Sequence, residues 1–236
     1  MNRRILLAAL AAVSLLLPGA ALAQAAPEAA SPEKIAAVKA QGDAIIAEAK
    51  AAGLFVNKTS SATAIEILHP ASGMTCRFVP SVENRIIVIT QVLPRGEDVA
   101  CDAPMGRTAL TFYATRIPGA TLDSELRGAV QAIKGRWPGA KTWKPSGRTQ
   151  ELIGKSEKAM AAQKDTQTAW FLVKDREGPM ITRVSVVIVD GWVIKMRATA
   201  PEYDGPIVEM LLDLNWLGVV SGAREAKAAL PTAATP

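Results

Sequence analysis

Val189-Asp190-Gly191-Trp192, near the end of the run from Ala169 to Thr199, is the tightest turn signal in this 236-residue chain. Asp-Gly between β-branched runs favours a two-residue type I′ turn, because both central residues must adopt positive φ. The turn also sets a register. With Val189 opposite Trp192, one face of the hairpin pairs Val187 with Ile194, Ser185 with Met196 and Arg183 with Ala198. The other face pairs Ile188 with Val193, Val186 with Lys195 and Val184 with Arg197. The first reads as an apolar core face, whereas the second is apolar on one strand and basic on the other. The run from Ala169 onward reads as three consecutive strands.

Working outward, Gly205-Pro206 opens a helix with Ile207, Met210, Leu211, Leu214 and Leu217 on one face and Gly218 at its end. From Ala140 to Asp165 the periodicity fades into a long polar connection, with a weak strand around Thr142. Before it, Thr121 caps a helix carrying Leu122, Leu126, Ala129, Ile133 and Trp137, stopped by Pro138-Gly139. Arg107 to Ile117 alternates as a strand with Leu110, Phe112 and Ala114 on one face. Leu93 to Gly106 reads as a loop. Ile86 to Val92 is apolar enough to predict a central strand, and Ala64 to His69 and Met74 to Val79 predict a hairpin around Pro70-Ala71-Ser72-Gly73. Ser31 and Pro32 start a further helix whose stripe is Ile35, Val38, Ile45, Ile46 and Ala49, with Gly53 available as its left-handed C-terminal residue. Three amphipathic helices and mostly hairpin-connected strands imply an α+β fold, a largely antiparallel sheet of six to seven strands. Because both sheet faces carry apolar rows, helices should cover both, giving an α/β/α sandwich.

The chain opens on a secretory signal: Arg3 and Arg4, an apolar run from Ile5 to Leu17, and Ala21-Leu22-Ala23 as a cleavage site. That run is shorter than the roughly 20 residues a membrane span needs, so no span is expected after cleavage. The organisation expected is a leader at 1–23, a disordered segment at 24–31, one α+β domain at 32–218 and a disordered Ala/Pro tail at 219–236. The formal charge is +5, and two of its cations sit in the leader. So mild an excess in an exported chain gives no reason to expect nucleic acid. Cys76 and Cys101 are the only cysteines. In an oxidising compartment they are expected to form a disulfide worth about 3 kcal/mol by chain entropy. The rivals, a metal pair or a redox pair, lack a C-x-x-C and have one histidine to draw on.

No motif for catalysis stands out. A Ser-His-Asp triad would have to use His69, and His69-Pro70-Ala71-Ser72-Gly73 lacks the G-x-S-x-G elbow. His69 reads instead as a strand-end residue bonded to solvent or backbone. The glycines stand singly at element ends, so no phosphate or dinucleotide loop is present, and no cofactor or metal site is expected. Trp137, Trp192 and Trp216 read as core. Trp143, between Lys141 and Lys144, reads as a ring that could meet a ligand or partner. The half-basic hairpin face offers two arrangements. Either a helix covers the valine row with Lys195 and Arg197 emerging at its rim, or part of the face stays open for an anionic ligand or acidic segment.

The stretch His69-Pro70-Ala71-Ser72-Gly73-Met74-Thr75-Cys76-Arg77-Phe78, followed by Gly96-Glu97-Asp98-Val99-Ala100-Cys101-Asp102, resembles a pattern in small exported proteins of Gram-negative bacteria that have no assigned activity. The element order from Leu54 to Gly218 resembles the Mog1/PsbP-like sandwich, and that resemblance implies a non-catalytic binder of protein partners. The expectation is therefore a periplasmic, non-enzymatic protein that binds another periplasmic or envelope protein. The alternative is a binder of a small hydrophobic or anionic ligand, with Lys195, Arg197 and Trp143 as the face to watch. A hydrolase built on His69 comes third. Oligomeric state is left open.

Overall fold

Asp190 and Gly191 take φ of 49° and 75°, the left-handed pair that a type I′ turn requires. In this computed structural model, which describes residues 30–147, 151, 154 and 156–229, every pairing read from that turn is present. Val187 faces Ile194, Val186 faces Lys195, and the ladder runs on to Met180 opposite Pro201. The leader expected at 1–23, residues 24–29 and residues 230–236 lie outside the described residues.

The first half of the chain supplies α1 (Pro32–Glu48), β1 (Val56–Asn57), β2 (Ile65–Leu68), β3 (Thr75–Phe78), β4 (Arg85–Val88), β5 (Asp98–Asp102) and β6 (Ala109–Arg116). It is followed by α2 (Leu122–Arg136), β7 (Lys141–Thr142), α3 (Glu157–Gln163), β8 (Gln167–Asp175), β9 (Gly178–Val189), β10 (Trp192–Pro201) and α4 (Gly205–Ala228). A seven-stranded antiparallel sheet has the order β4-β5-β6-β10-β9-β8-β7, and β1-β2-β3 form a second, smaller sheet. The large sheet is buried on both sides. On one, Val184, Val186, Val193 and Phe171 pack with Ile133 of α2. On the other, Val187, Ile194, Met196 and Phe112 join Leu212, Trp216 and Val220 of α4 and the inner residues of the small sheet. The architecture is the α+β sandwich expected, with helices on both faces.

Helix α1 belongs to this body. Asn57 Nδ2 donates to the Lys39 carbonyl oxygen at 2.7 Å and to Asp43 Oδ1 at 2.8 Å, while Ser31 caps the helix start. A Cβ at Gly42 would lie 2.7 Å from Asn57 Nδ2, so the glycine is what lets helix and small sheet approach.

Five expectations are corrected. β4 is the edge of the sheet, with Ile87 40% exposed, and β10 takes the centre, because a short apolar run does not distinguish a middle strand from an edge. The supposed loop from Leu93 to Gly106 contains β5, whose Val99, Ala100 and Cys101 are fully buried. Lys50, not Gly53, takes the left-handed position just after α1, with φ of 51°. The polar connection contains α3, capped by Ser156 and holding Ala162 in the core. Finally, α4 does not stop at Gly218. Nothing lies within 4 Å of where its Cβ would be, and a lone helical glycine costs only about 1 kcal/mol. Residues 219–228 therefore continue the helix and are not a loose tail. They are held by the β2–β3 turn, where a Cβ on Gly73 would sit 2.7 Å from the Ala223 carbonyl oxygen.

Cys76 of β3 is bonded to Cys101 of β5, with Cα atoms 5.8 Å apart. The bond therefore ties the small sheet to the large one, strand to strand. Among the described residues no helix is long and apolar enough to cross a membrane.

Candidate functional site

His69 and Ser72 do meet, but inside the protein. His69 Nδ1 lies 2.9 Å from Ser72 Oγ, which accepts the Met74 N–H at 3.1 Å and so has its own proton for the ring. The imidazole packs against Phe55 at 4.9 Å and edge-on to Trp192 at 5.4 Å. Ser72 is wholly buried and His69 is 1% exposed. Its partner is thus a buried hydroxyl, not solvent or backbone, and the Ser72 hydroxyl is closed to solvent.

Burial, with the nearby charge of Lys227, pushes the His69 pKa down from 6.5 to about 4. Between those values the unfolded chain binds a proton that the folded chain refuses, so stability rises with pH across that window. The stabilisation is complete above pH 6.5 and lost as pH falls through about 4, worth up to roughly 3 kcal/mol. Urea titrations should show this loss, and His69→Gln should flatten the profile. An unchanged slope in His69→Gln would place the acid sensitivity elsewhere.

On the half-basic hairpin face, α2 covers the valine row. Lys195 emerges at its rim and bonds Glu125 of α2 at 3.3 Å. Arg197 instead lines a groove of about 460 Å³ that also holds Arg107, Arg136, Arg176, Asp175 and Glu177. Lys195 and Arg197 share the face that the sequence gives them but meet different surroundings. Trp143 is half-buried, 5.3 Å from Trp170, and packs on the core. It stands in a different place from both cations.

The residues that sequence reasoning missed are on α4. Its buried face carries two carboxylates. Asp213 accepts from Arg183 of β9 at 2.6 Å, and the pair is almost without solvent contact, with side chains 7% and 3% exposed. Arg183 also donates through Nε to Ser185 Oγ at 2.8 Å and lies 4.8 Å from the centre of the Trp170 ring. Burial pushes the Asp213 pKa up, though Arg183 pulls it back, and burial pushes that of Arg183 down. Glu209 is buried as well, accepting from the Ser146 N–H at 2.9 Å and Oγ at 2.6 Å.

With Glu209 and Asp213 inside, the first half of α4 turns aliphatic side chains outward. Ile207, Met210, Leu211 and Leu214 are 61, 41, 38 and 55% exposed, and their spacing puts them on one stripe. This is the face that hydrophobic periodicity picks as the docking side, and apart from Leu217 it is the solvent side. The stripe runs into a groove of about 560 Å³ beside the small sheet, where Leu214, Gly218 and Gly222 line one side and Thr75 and Arg77 the other.

No family model matches the chain, and no curated protein does. Among solved structures, the cyanobacterial PsbP (CyanoP) of Synechocystis sp. PCC 6803 is similar at 13% identity over 71% of this chain and 95% of that one, with a TM-score of 0.43. A mutant form of the protein Mog1 is similar at 8% identity over 70% of this chain and 89% of that one, with a TM-score of 0.33. These are weak resemblances of fold.

Proposed function

We propose that the chain is an exported, non-catalytic binding protein of the periplasm that docks an amphipathic segment of another envelope protein along the outer stripe of α4. One observation carries the reading. The helix buries Glu209 and Asp213 and exposes Ile207, Met210, Leu211 and Leu214, the reverse of a helix built to face water. Four aliphatic residues at helical spacing are what a helix-in-groove contact uses. The stripe offers a few hundred Å² at most, well under the roughly 800 Å² per partner that a stable interface buries. A second copy held by this stripe alone would not stay bound, and a transient contact with a different protein fits its size better. The disulfide supports an oxidising destination, and the burial of Ser72 supports a non-catalytic role.

A photocrosslinker at position 214 tests this in cells exporting the full chain. The expected result is one main adduct with a protein other than itself, lost when Leu211→Glu is added and absent when the probe sits at exposed position 92. Adducts only with a second copy, or adducts that survive Leu211→Glu, would overturn the reading.

A further inference from the structure

Pro145 stands where the outermost ladder of the large sheet should continue. β7 pairs Lys141 with Leu172 and Thr142 with Phe171, and the Trp143 N–H donates to the Trp170 carbonyl oxygen at 3.0 Å. Carried on, that register sets Pro145 opposite Thr168. Backbone groups alternate between the two edges of a strand, so Thr168 presents its N–H and C=O to the same edge as Trp170, away from β9. Proline has no N–H to offer that carbonyl. The chain leaves the sheet here, drawn off by the Glu209 carboxylate that holds Ser146. Among the described residues no hydrogen bond reaches the Thr168 backbone from that edge, and the residue is exposed.

The gap between the departing chain and β8 is a cleft of about 730 Å³, lined by Trp143, Thr166, Thr168, Trp170, Arg183 and Trp216 among others. That is ligand-site size. Donors in its lining stand without acceptors. Trp216 is 1% exposed, and among the described residues its Nε1–H has no partner and the buried Thr166 Oγ1 has none either. Arg183 uses Nε for Ser185 and Nη1 for Asp213, and no bond among the described residues uses Nη2. Buried donors are normally satisfied, and each exception calls for an explanation. The unused groups are mainly donors. With the Glu209 and Asp213 carboxylates in the same lining, uncharged carbonyl oxygens suit the cleft better than a carboxylate does.

We infer that this cleft takes an extended peptide segment, which adds to the sheet beside Thr168 where β7 stops. Its backbone exchanges hydrogen bonds with Thr168, as in strand addition at a free sheet edge. A side chain set against the paired rings of Trp143 and Trp170 is apolar, and peptide or amide carbonyls meet Trp216, Thr166 and Arg183. A small carbonyl-bearing molecule would satisfy the three side chains and leave the Thr168 backbone unpaired, which is why the peptide is favoured. The site lies on the inner side of α4 and is independent of the outer stripe.

Selection of a random dodecapeptide phage library on the oxidised chain tests this. Synthetic copies of the selected peptides should bind, slow hydrogen exchange of the Thr168 amide at least tenfold and change the tryptophan fluorescence. Thr168→Pro, which keeps the β9 ladder because that N–H points outward, should weaken binding at least tenfold, whereas Thr168→Val should keep it within threefold. Leu211→Glu on the outer stripe should change nothing. Selection of no binder overturns the inference, as do peptides that leave the Thr168 amide unprotected or bind Thr168→Pro equally well. Protection by an uncharged aromatic amide such as benzamide, with none by peptides, would assign the cleft to small molecules and overturn it too.

Discussion

Asp213→Ala is expected to be among the most damaging truncations in the protein, lowering its unfolding free energy by about 3–5 kcal/mol. The reason is what remains. Arg183 sits on β9 with its side chain 3% exposed, surrounded by Trp170, Ser185 and the inner face of α4, and so small an exposure cannot compensate for a lost carboxylate. The cost of one unpaired buried guanidinium then outweighs the desolvation relieved by removing the carboxylate. Arg183→Ala should cost a similar amount by stranding Asp213 beside Glu209. Replacing both partners by apolar residues, Arg183→Met with Asp213→Leu, should leave a protein closer to wild type than either single variant, because no buried charge is orphaned. Urea denaturation of the four proteins gives the cycle. Single variants within about 1 kcal/mol of wild type would mean the pair is wetter than its 2.6 Å contact and burial imply.

The second large effect is reduction of the Cys76–Cys101 bond. It closes a separation of 25 residues and is expected to contribute about 3 kcal/mol through the unfolded chain. Because it joins β3 to β5, its loss should loosen the small sheet and α1 from the large sheet while the β8–β9–β10 meander keeps its ladder. The oxidised protein should weigh two protons less than the reduced one, and neither thiol should alkylate until reductant is added. Two thiols that react in the untreated folded protein, or a midpoint unmoved by reductant, would contradict this.

How far these features could be read in advance follows from which signals are local. The hairpin register was legible because one dipeptide fixes the turn and a period of two fixes every later pair. The caps at Ser31 and Thr121 were legible for the same reason. The orientation of α4 was not, because it is apolar nearly all round, with Val208, Leu212 and Val219 on one side and Ile207, Leu211 and Leu214 on the other. Periodicity then has two answers. What selects between them is a long-range partner: Arg183, on a strand face that reads as core, needs Asp213, and Asp213 brings Glu209 inward with it. A lone arginine amid Val184, Ser185 and Val187 in a buried strand was the available clue. The strand β5 was hidden for another reason. Pro94, Gly96 and Pro104 bracket it, so turn chemistry at both ends masked the five residues between. The cleft beside Thr168 depends on Pro145 falling opposite one particular residue, and that needs the β7–β8 register, which a two-residue strand does not announce.

The orientation of α4 is the claim on which the proposed docking surface rests, and the unfolding of Leu211→Glu/Leu214→Glu tests it most directly. With both side chains on the outer stripe, the double variant should keep its unfolding free energy within about 1 kcal/mol of wild type, as surface changes do. Leu212→Glu, one position away and 2% exposed, should unfold the protein or drop the midpoint sharply by burying an unpaired charge. A double variant that collapses while Leu212→Glu melts normally would put the aliphatic stripe in the core and the carboxylates in water.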